Sequence, residues 1–201
     1  MNHFHPVDEI FCMDNTCIIS FGHGNGSSPH MQTALEHFYL SPGHNYFGHH
    51  GRAPSEHPIL TATELYCVAG RGISGDRFFD YRLDYAGQIT FFSLEIFEEM
   101  QREFSIPDAT PALTRRNVVV RGLDLMALAN RDFCLQGVWF RGAGECKPCY
   151  WMNTALAPES EAWLRGRGGL RARILTDGAL RLGSAEFVRG AQCEAPVALA
   201  T

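Results

Sequence analysis

The chain of 201 residues has one lysine, no histidine after position 57, no basic stripe and little regularity among its cysteines. It also lacks any apolar run approaching the roughly 18 residues that span a membrane. The first residues, 1 to 9, mix histidines with acids and lack the basic-then-apolar order of a secretory signal. With a net charge of -5, nothing points to nucleic acid. The seven cysteines are an odd number scattered from position 12 to 193, unlike the dense spacing of a secreted disulfide scaffold. Reduced thiols, most of them small buried side chains, fit better. The expectation is a soluble, cytoplasmic protein, and a 45% hydrophobic composition is enough for one sizeable core.

Two asymmetries stand out. Sixteen of the seventeen basic residues are arginine, which either suits forked contacts to phosphate or carboxylate or reflects codon bias. All nine histidines precede position 58. Residues 1–30 end in a Gly- and Ser-rich run, Gly22 to Pro29, and are expected to form a flexible extension ahead of a domain over 31–201. Within that domain short strands are expected at 35–40, 88–92, 118–120 and 133–140, with a strand or a pair of strands over 59–69. A further strand over 172–176 is expected to turn at Asp177-Gly178 and return through 180–182 as a hairpin. One helix is well marked: Ser93 caps it, and Leu94, Phe97, Met100 and Phe104 share a face. Short helical pieces are expected at 124–129 and 158–164. Many short strands and few helices favour a mainly β, barrel-like domain.

The motifs carry alternatives. Gly70-Arg71-Gly72-Ile73-Ser74-Gly75 matches a dinucleotide fingerprint by letter, but no helix begins there, which rejects that reading. What is left is a connecting loop, or a nest of backbone amides for an anion with Arg77 beside it. Cys146-Lys147-Pro148-Cys149 has the spacing of a zinc half-site or a redox pair, yet neither a second ligand pair nor a βαβ context accompanies it. Two thiols without a role remain an alternative. His44, His49 and His50 share one Gly-rich loop, as metal ligands or as surface side chains. Arg115-Arg116-Asn117, just before a strand, make either a grip on an anionic ligand or a solvated strand end.

In this order the segments resemble the MOSC domain family, named after the C-terminal part of molybdenum cofactor sulfurases. The resemblance runs from about 38 to 187 and is carried by Gly72 to Arg77, Gln88-Ile89-Thr90, Arg115 to Leu125, Pro148-Cys149, Arg167 to Arg173 and Asp177 to Gly183. It is closer to the small single-domain bacterial members than to the long sulfurases. It implies a MOSC-type β-barrel with a few short helices, and a distinctive cysteine, here Cys149, that ligates molybdenum or carries sulfur. It also implies a molybdenum-pterin cofactor held through Gly75, Asp76, Arg77, Arg115, Arg116, Asn117 and Arg171. A soft thiolate suits such a metal, and arginines suit its phosphate. The loop of His44, His49 and His50 lies outside the general pattern and is expected to shape the substrate site. Pyridoxal phosphate is not expected: Lys147 is the only possible Schiff-base residue. The activity implied is an oxidoreductase that reduces small N-hydroxylated compounds with an electron-transfer partner. The alternatives are a carrier of persulfide sulfur from a donor protein and a non-catalytic barrel for an anionic ligand.

Overall fold

The computed structural model describes residues 30–44 and 57–190. Its centre is a closed barrel of seven strands. They are β1 (His30–Leu40), β5 (Ile89–Ser93), β6 (Val118–Arg121), β7 (Asp132–Leu135), β8 (Val138–Glu145), β9 (Leu170–Ile174) and β11 (Gly183–Arg189). Around the barrel the order is β1, β11, β7, β8, β9, β5, β6 and back to β1. A short β2 (Leu60–Ala62) extends β1, and a separate three-stranded sheet joins β10 (Gly178–Arg181), β3 (Glu64–Val68) and β4 (Gly72–Ile73).

Alternation explains the core. On β9, Leu170, Ala172 and Ile174 are buried in the barrel while Arg171 and Arg173 between them point outward. On β5 the inward residues Ile89 and Phe91 join Phe133 and Phe140, with ring centroids 5.6 and 5.4 Å from Phe91. β5 is buried on both faces because α1 (Leu94–Glu103) covers it from outside. There Phe92, Phe97 and Met100 form a second apolar cluster with Met152 and Leu164. Every neighbouring pair in the barrel is antiparallel except β5 and β6. A parallel pair needs a long crossover, and α1 supplies it. Ser93 caps that helix as expected, its Oγ accepting from the Ile96 amide at 3.2 Å.

Two expectations need correction, one of two alternatives is excluded, and one helix is an addition. The strand over 133–140 is a hairpin, β7 and β8, turning at Gln136 and Gly137 with φ of 49° and 81°. Gln136 is unusual in that left-handed position. Its side chain both accepts from the Arg181 amide (2.7 Å) and donates to the Arg181 carbonyl (3.0 Å), which ties the turn to β10. The return through 180–182 does not pair with β9. It pairs with β3, and Asp177 turns away to accept from the Ala69 amide at 2.7 Å. The glycine-rich loop forms no open nest either. The amides of Gly70, Arg71, Ser74, Asp76, Arg77 and Phe78 all donate to protein oxygens. Finally, a short helix, α2 (Trp151–Ala155), follows Cys149 directly. Its packing explains it: Met152 is buried and Trp151 Nε1 donates to the Leu113 carbonyl at 2.9 Å. α3 (Ser160–Trp163) lies where a helical piece is expected.

Candidate functional site

On the outer wall of the barrel, three outward residues lie side by side: Arg171 on β9, Thr90 on β5 and Asn117 just before β6. Two loops rise over this row, one carrying Arg77, Phe78 and Tyr85, the other Cys146, Lys147 and Cys149. Together with Arg115, Arg116 and Trp151 they enclose a cavity of about 320 Å³. Arg77, Arg115, Arg116, Arg171 and Lys147 line it, and among the described residues no carboxylate does. In a chain of net charge -5 that is a strongly local concentration of positive charge.

The polar floor is built to be rigid. Asn117 Oδ1 accepts from the Thr90 amide (3.1 Å) and hydroxyl (2.8 Å). Its Nδ2 donates to the Tyr39 carbonyl and to Asp76 Oδ2, both at 3.2 Å. Asp76 lies behind the cavity, accepting also from the amides of Ser41 (3.1 Å) and Phe78 (3.0 Å). Gly75 precedes it in a left-handed conformation (φ 83°) and does not line the cavity.

Arg116 is spent on carbonyls. Its Nε donates to Gly168 (3.1 Å), Nη1 to Thr114 (2.9 Å) and Nη2 to Cys146 (2.8 Å). That last bond fixes the cysteine loop from one side. From the other, the Cys146 amide donates to the Gly169 carbonyl at 2.7 Å, and Glu145 Oε1 accepts from the amides of Gly166 (2.8 Å) and Gly168 (3.2 Å). A Cβ on Gly168 would stand 2.7 Å from the Cys146 carbonyl, so only glycine allows this approach. Cys146 and Cys149 are both free and half-buried. The Cys149 carbonyl accepts from the Met152 amide at 2.8 Å, seating the loop on α2.

Arg115 holds a left-handed backbone (φ 59°, ψ 33°) at the end of the 3₁₀ turn Pro111–Thr114. Such a conformation costs a non-glycine residue about 1–2 kcal/mol and clusters at functional positions. Its guanidinium sits 5.6 Å from the Trp151 ring and within electrostatic reach of Cys149. Burial, then repulsion from Arg77, lower its pKa to about 10. Arg77 is lowered too, first by burial and opposed by Asp76. Tyr85 is raised by burial and by Tyr81, so its hydroxyl stays a donor well above neutral pH.

Of the residues expected from the sequence, Arg77, Arg115, Arg116, Asn117, Cys149 and Arg171 meet at this cavity. His44 is at its edge, its ring 5.1 Å from Phe78 and 6.1 Å from Tyr81. His49 and His50 lie outside the described residues. Tyr85, Phe78 and Trp151 line the cavity as well and are not among the residues expected from the sequence. The signal was present in Arg77-Phe78-Phe79-Asp80-Tyr81-Arg82-Leu83-Asp84-Tyr85, where aromatics and arginines interleave in a loop.

Among the described residues no helix is long and apolar enough to cross a membrane. The YuaD protein of Bacillus subtilis superposes with a TM-score of 0.65 at 20% identity, over 81% of this chain and 98% of that one. YiiM of Escherichia coli gives 0.56 at 15% identity, over 82% and 72% of the two chains. YiiM of Geobacillus stearothermophilus gives 0.56 at 13% identity, over 79% and 75%. A search of the curated proteins finds no match. The model of the MOSC domain matches residues 73–185, more than half of the sequence and the whole span from β4 into β11. The chain therefore belongs to the MOSC domain family.

Proposed function

We propose that the cavity binds a molybdenum-pterin cofactor, with the Cys149 sulfur as the protein's ligand to the metal. The observation that carries this is the lining: four arginines, one lysine and two free thiols, with no carboxylate among the described residues. The donor set fits the group. Among the described residues no three His, Cys, Asp or Glu side chains gather to chelate an ion. A metal here would thus meet at most the sulfurs of Cys149 and Cys146 and bring its other ligands with it, as a pterin-bound metal does. The arginines suit a phosphate by charge and forked geometry.

When bound, the metal centre supplies two-electron redox chemistry, which suits reduction of a small N-hydroxylated substrate with electrons from a partner protein. The chain's own residues do the rest. Arg116 and Gly168–Gly169 fix the loop that presents Cys149. Phe78, Tyr85 and Trp151 wall the cavity. The protein made in a cofactor-competent host is expected to carry molybdenum in near-stoichiometric amount, and Cys149→Ser to lose it while keeping its fold. Metal-free wild-type protein from that host defeats the proposal.

One observation favours a second reading, a persulfide carrier: Cys146 lines the same cavity and offers a second thiol beside Cys149. That reading predicts a reducible sulfur adduct in the intact mass, abolished by Cys149→Ala and kept by Cys146→Ala.

A further inference from the structure

The loop that walls one side of the cavity is clamped at two points. Arg71 forks onto Asp80, Nε to Oδ1 at 2.7 Å and Nη2 to Oδ2. Arg173 on β9 forks onto Asp84, Nε to Oδ1 at 2.6 Å and Nη2 to Oδ2 at 3.1 Å. Both aspartates hold a left-handed backbone (φ 53° and 51°), so the chain turns sharply at each clamp. Bidentate pairs of this kind fix geometry as well as charge. Between them the Tyr81 ring packs on Phe78 and Tyr85, with centroids 5.4 and 4.9 Å away.

What the clamps hold out to solvent is Tyr81-Arg82-Leu83. Leu83 is 97% exposed, the most of any large apolar side chain among the described residues, and Tyr81 is 52% exposed. The Arg82 guanidinium lies 5.2 Å from the Tyr85 ring and has no ion pair among the described residues. On the cysteine loop, the other wall of the cavity, Lys147 is exposed and Tyr150 is 63% exposed.

The make-up of this rim points to a use. Tyrosine and arginine are residue types that protein interfaces collect, and a tip already fixed in place loses little freedom on docking. The acids of the loop are neutralised by Arg71 and Arg173, so its unmatched charge is positive: Arg82 on one wall, Lys147 on the other. Two cations are too few to track a nucleic-acid backbone, and they suit the acidic rim of a small protein. The patch is small, three apolar side chains and two cations. That is the scale of transient redox encounters, which bury under about 1,200 Å², and not of a permanent complex.

We propose that Tyr81, Arg82, Leu83, Lys147 and Tyr150 form a docking rim for an acidic electron-carrier protein. The inference rests on the functional reading in taking the partner to be a redox protein.

The test measures binding of an acidic flavodoxin and an acidic ferredoxin to metal-free, full-length protein by calorimetry, at about 20 mM and about 200 mM salt. Micromolar binding of at least one carrier, weaker at the higher salt, is expected. Leu83→Ser and Arg82→Glu should each weaken it about tenfold or more, as loss of a central contact does. Asp84→Asn loosens the loop without removing a contact and should weaken it by a smaller factor. None of these three side chains lines the cavity, so molybdenum content from a cofactor-competent host should match wild type in each variant. Binding of neither carrier at the lower salt overturns the rim, as does binding that Leu83→Ser leaves unchanged. Self-association of the wild type that Leu83→Ser abolishes, seen by sedimentation, gives the rim to a second copy and overturns the carrier. The two readings fail separately. Wild-type protein without molybdenum that still binds a carrier through Leu83 defeats the cofactor alone, and molybdenum-loaded protein that binds no carrier defeats the rim alone.

Discussion

Replacing Asn117 with Ala tests whether the floor of the cavity holds the barrel wall together. The side chain makes four hydrogen bonds, to the Thr90 amide, the Thr90 hydroxyl, the Tyr39 carbonyl and Asp76 Oδ2. Asn117 is only 8% exposed, so alanine leaves the Thr90 amide and one Asp76 oxygen short of a partner with little access for water. At about 1 kcal/mol net per bond, and more for a buried group left unpaired, the loss sums to about 4 kcal/mol. The Thr90 hydroxyl can turn to another acceptor, and a water can enter the small space vacated. We therefore expect about 3 kcal/mol, or roughly 6–12 °C in a chain of this size. Urea titration followed by circular dichroism measures it, with the slope checked against wild type to confirm the same unfolding transition. A loss below about 0.5 kcal/mol, the range of ordinary surface substitutions, would refute the view of Asn117 as a structural hub. Arg77→Gln, in the same cavity, should show no such loss, because the Arg77 Nε has no hydrogen-bond partner to lose.

Other positions give sharp tests. Gly169 has φ of +96° and a Cβ there would meet the Phe91 carbonyl oxygen at 2.2 Å, whereas Gly137 (φ +81°) has open space around it. Gly169→Ala should cost about 3 kcal/mol or more and Gly137→Ala only about 1–2 kcal/mol; the reverse order in denaturant midpoints rejects the close packing at Gly169. Burial pushes the Cys67 thiol from 9.0 up to about 12, so the fold favours the neutral form. Its contribution is complete below pH 9.0 and is lost as pH rises toward about 12. Stability should thus fall over that interval in wild type more steeply than in Cys67→Ala, and parallel curves would count against it.

The barrel strands were legible where alternation or a β-branched run marks them: Val118–Val120, the second half of β1, and the arginine-interleaved β9. α1 was legible because a capping serine and an apolar face agree. What was hidden depends on distant partners. Gln136 enters a turn that normally asks for Asn or Gly because Arg181, far along the chain, accepts and donates to its amide. α2 is five residues long and exists through Met152 and Trp151 packing, not through propensity. At the site, residue types identified a basic, thiol-bearing cluster. They could not say that Arg116 is consumed by carbonyls while Arg77 and Arg171 keep idle donors, since only three-dimensional neighbours decide that.

The barrel closes where β1 meets β11, from His30 opposite Val188 to Leu35 opposite Gly183. These are the first and last strands of the described structure, so the seam joins its two most distant stretches. Closing it confines nearly the whole domain in one loop, an entropic toll that local hairpins such as β7–β8 never meet. Such non-local pairing slows folding, and a nascent chain cannot complete the seam until β11 has been synthesised. Until then β1 offers one edge bare to other chains, so the opened seam, not the cavity, is where this protein is most exposed to misassembly.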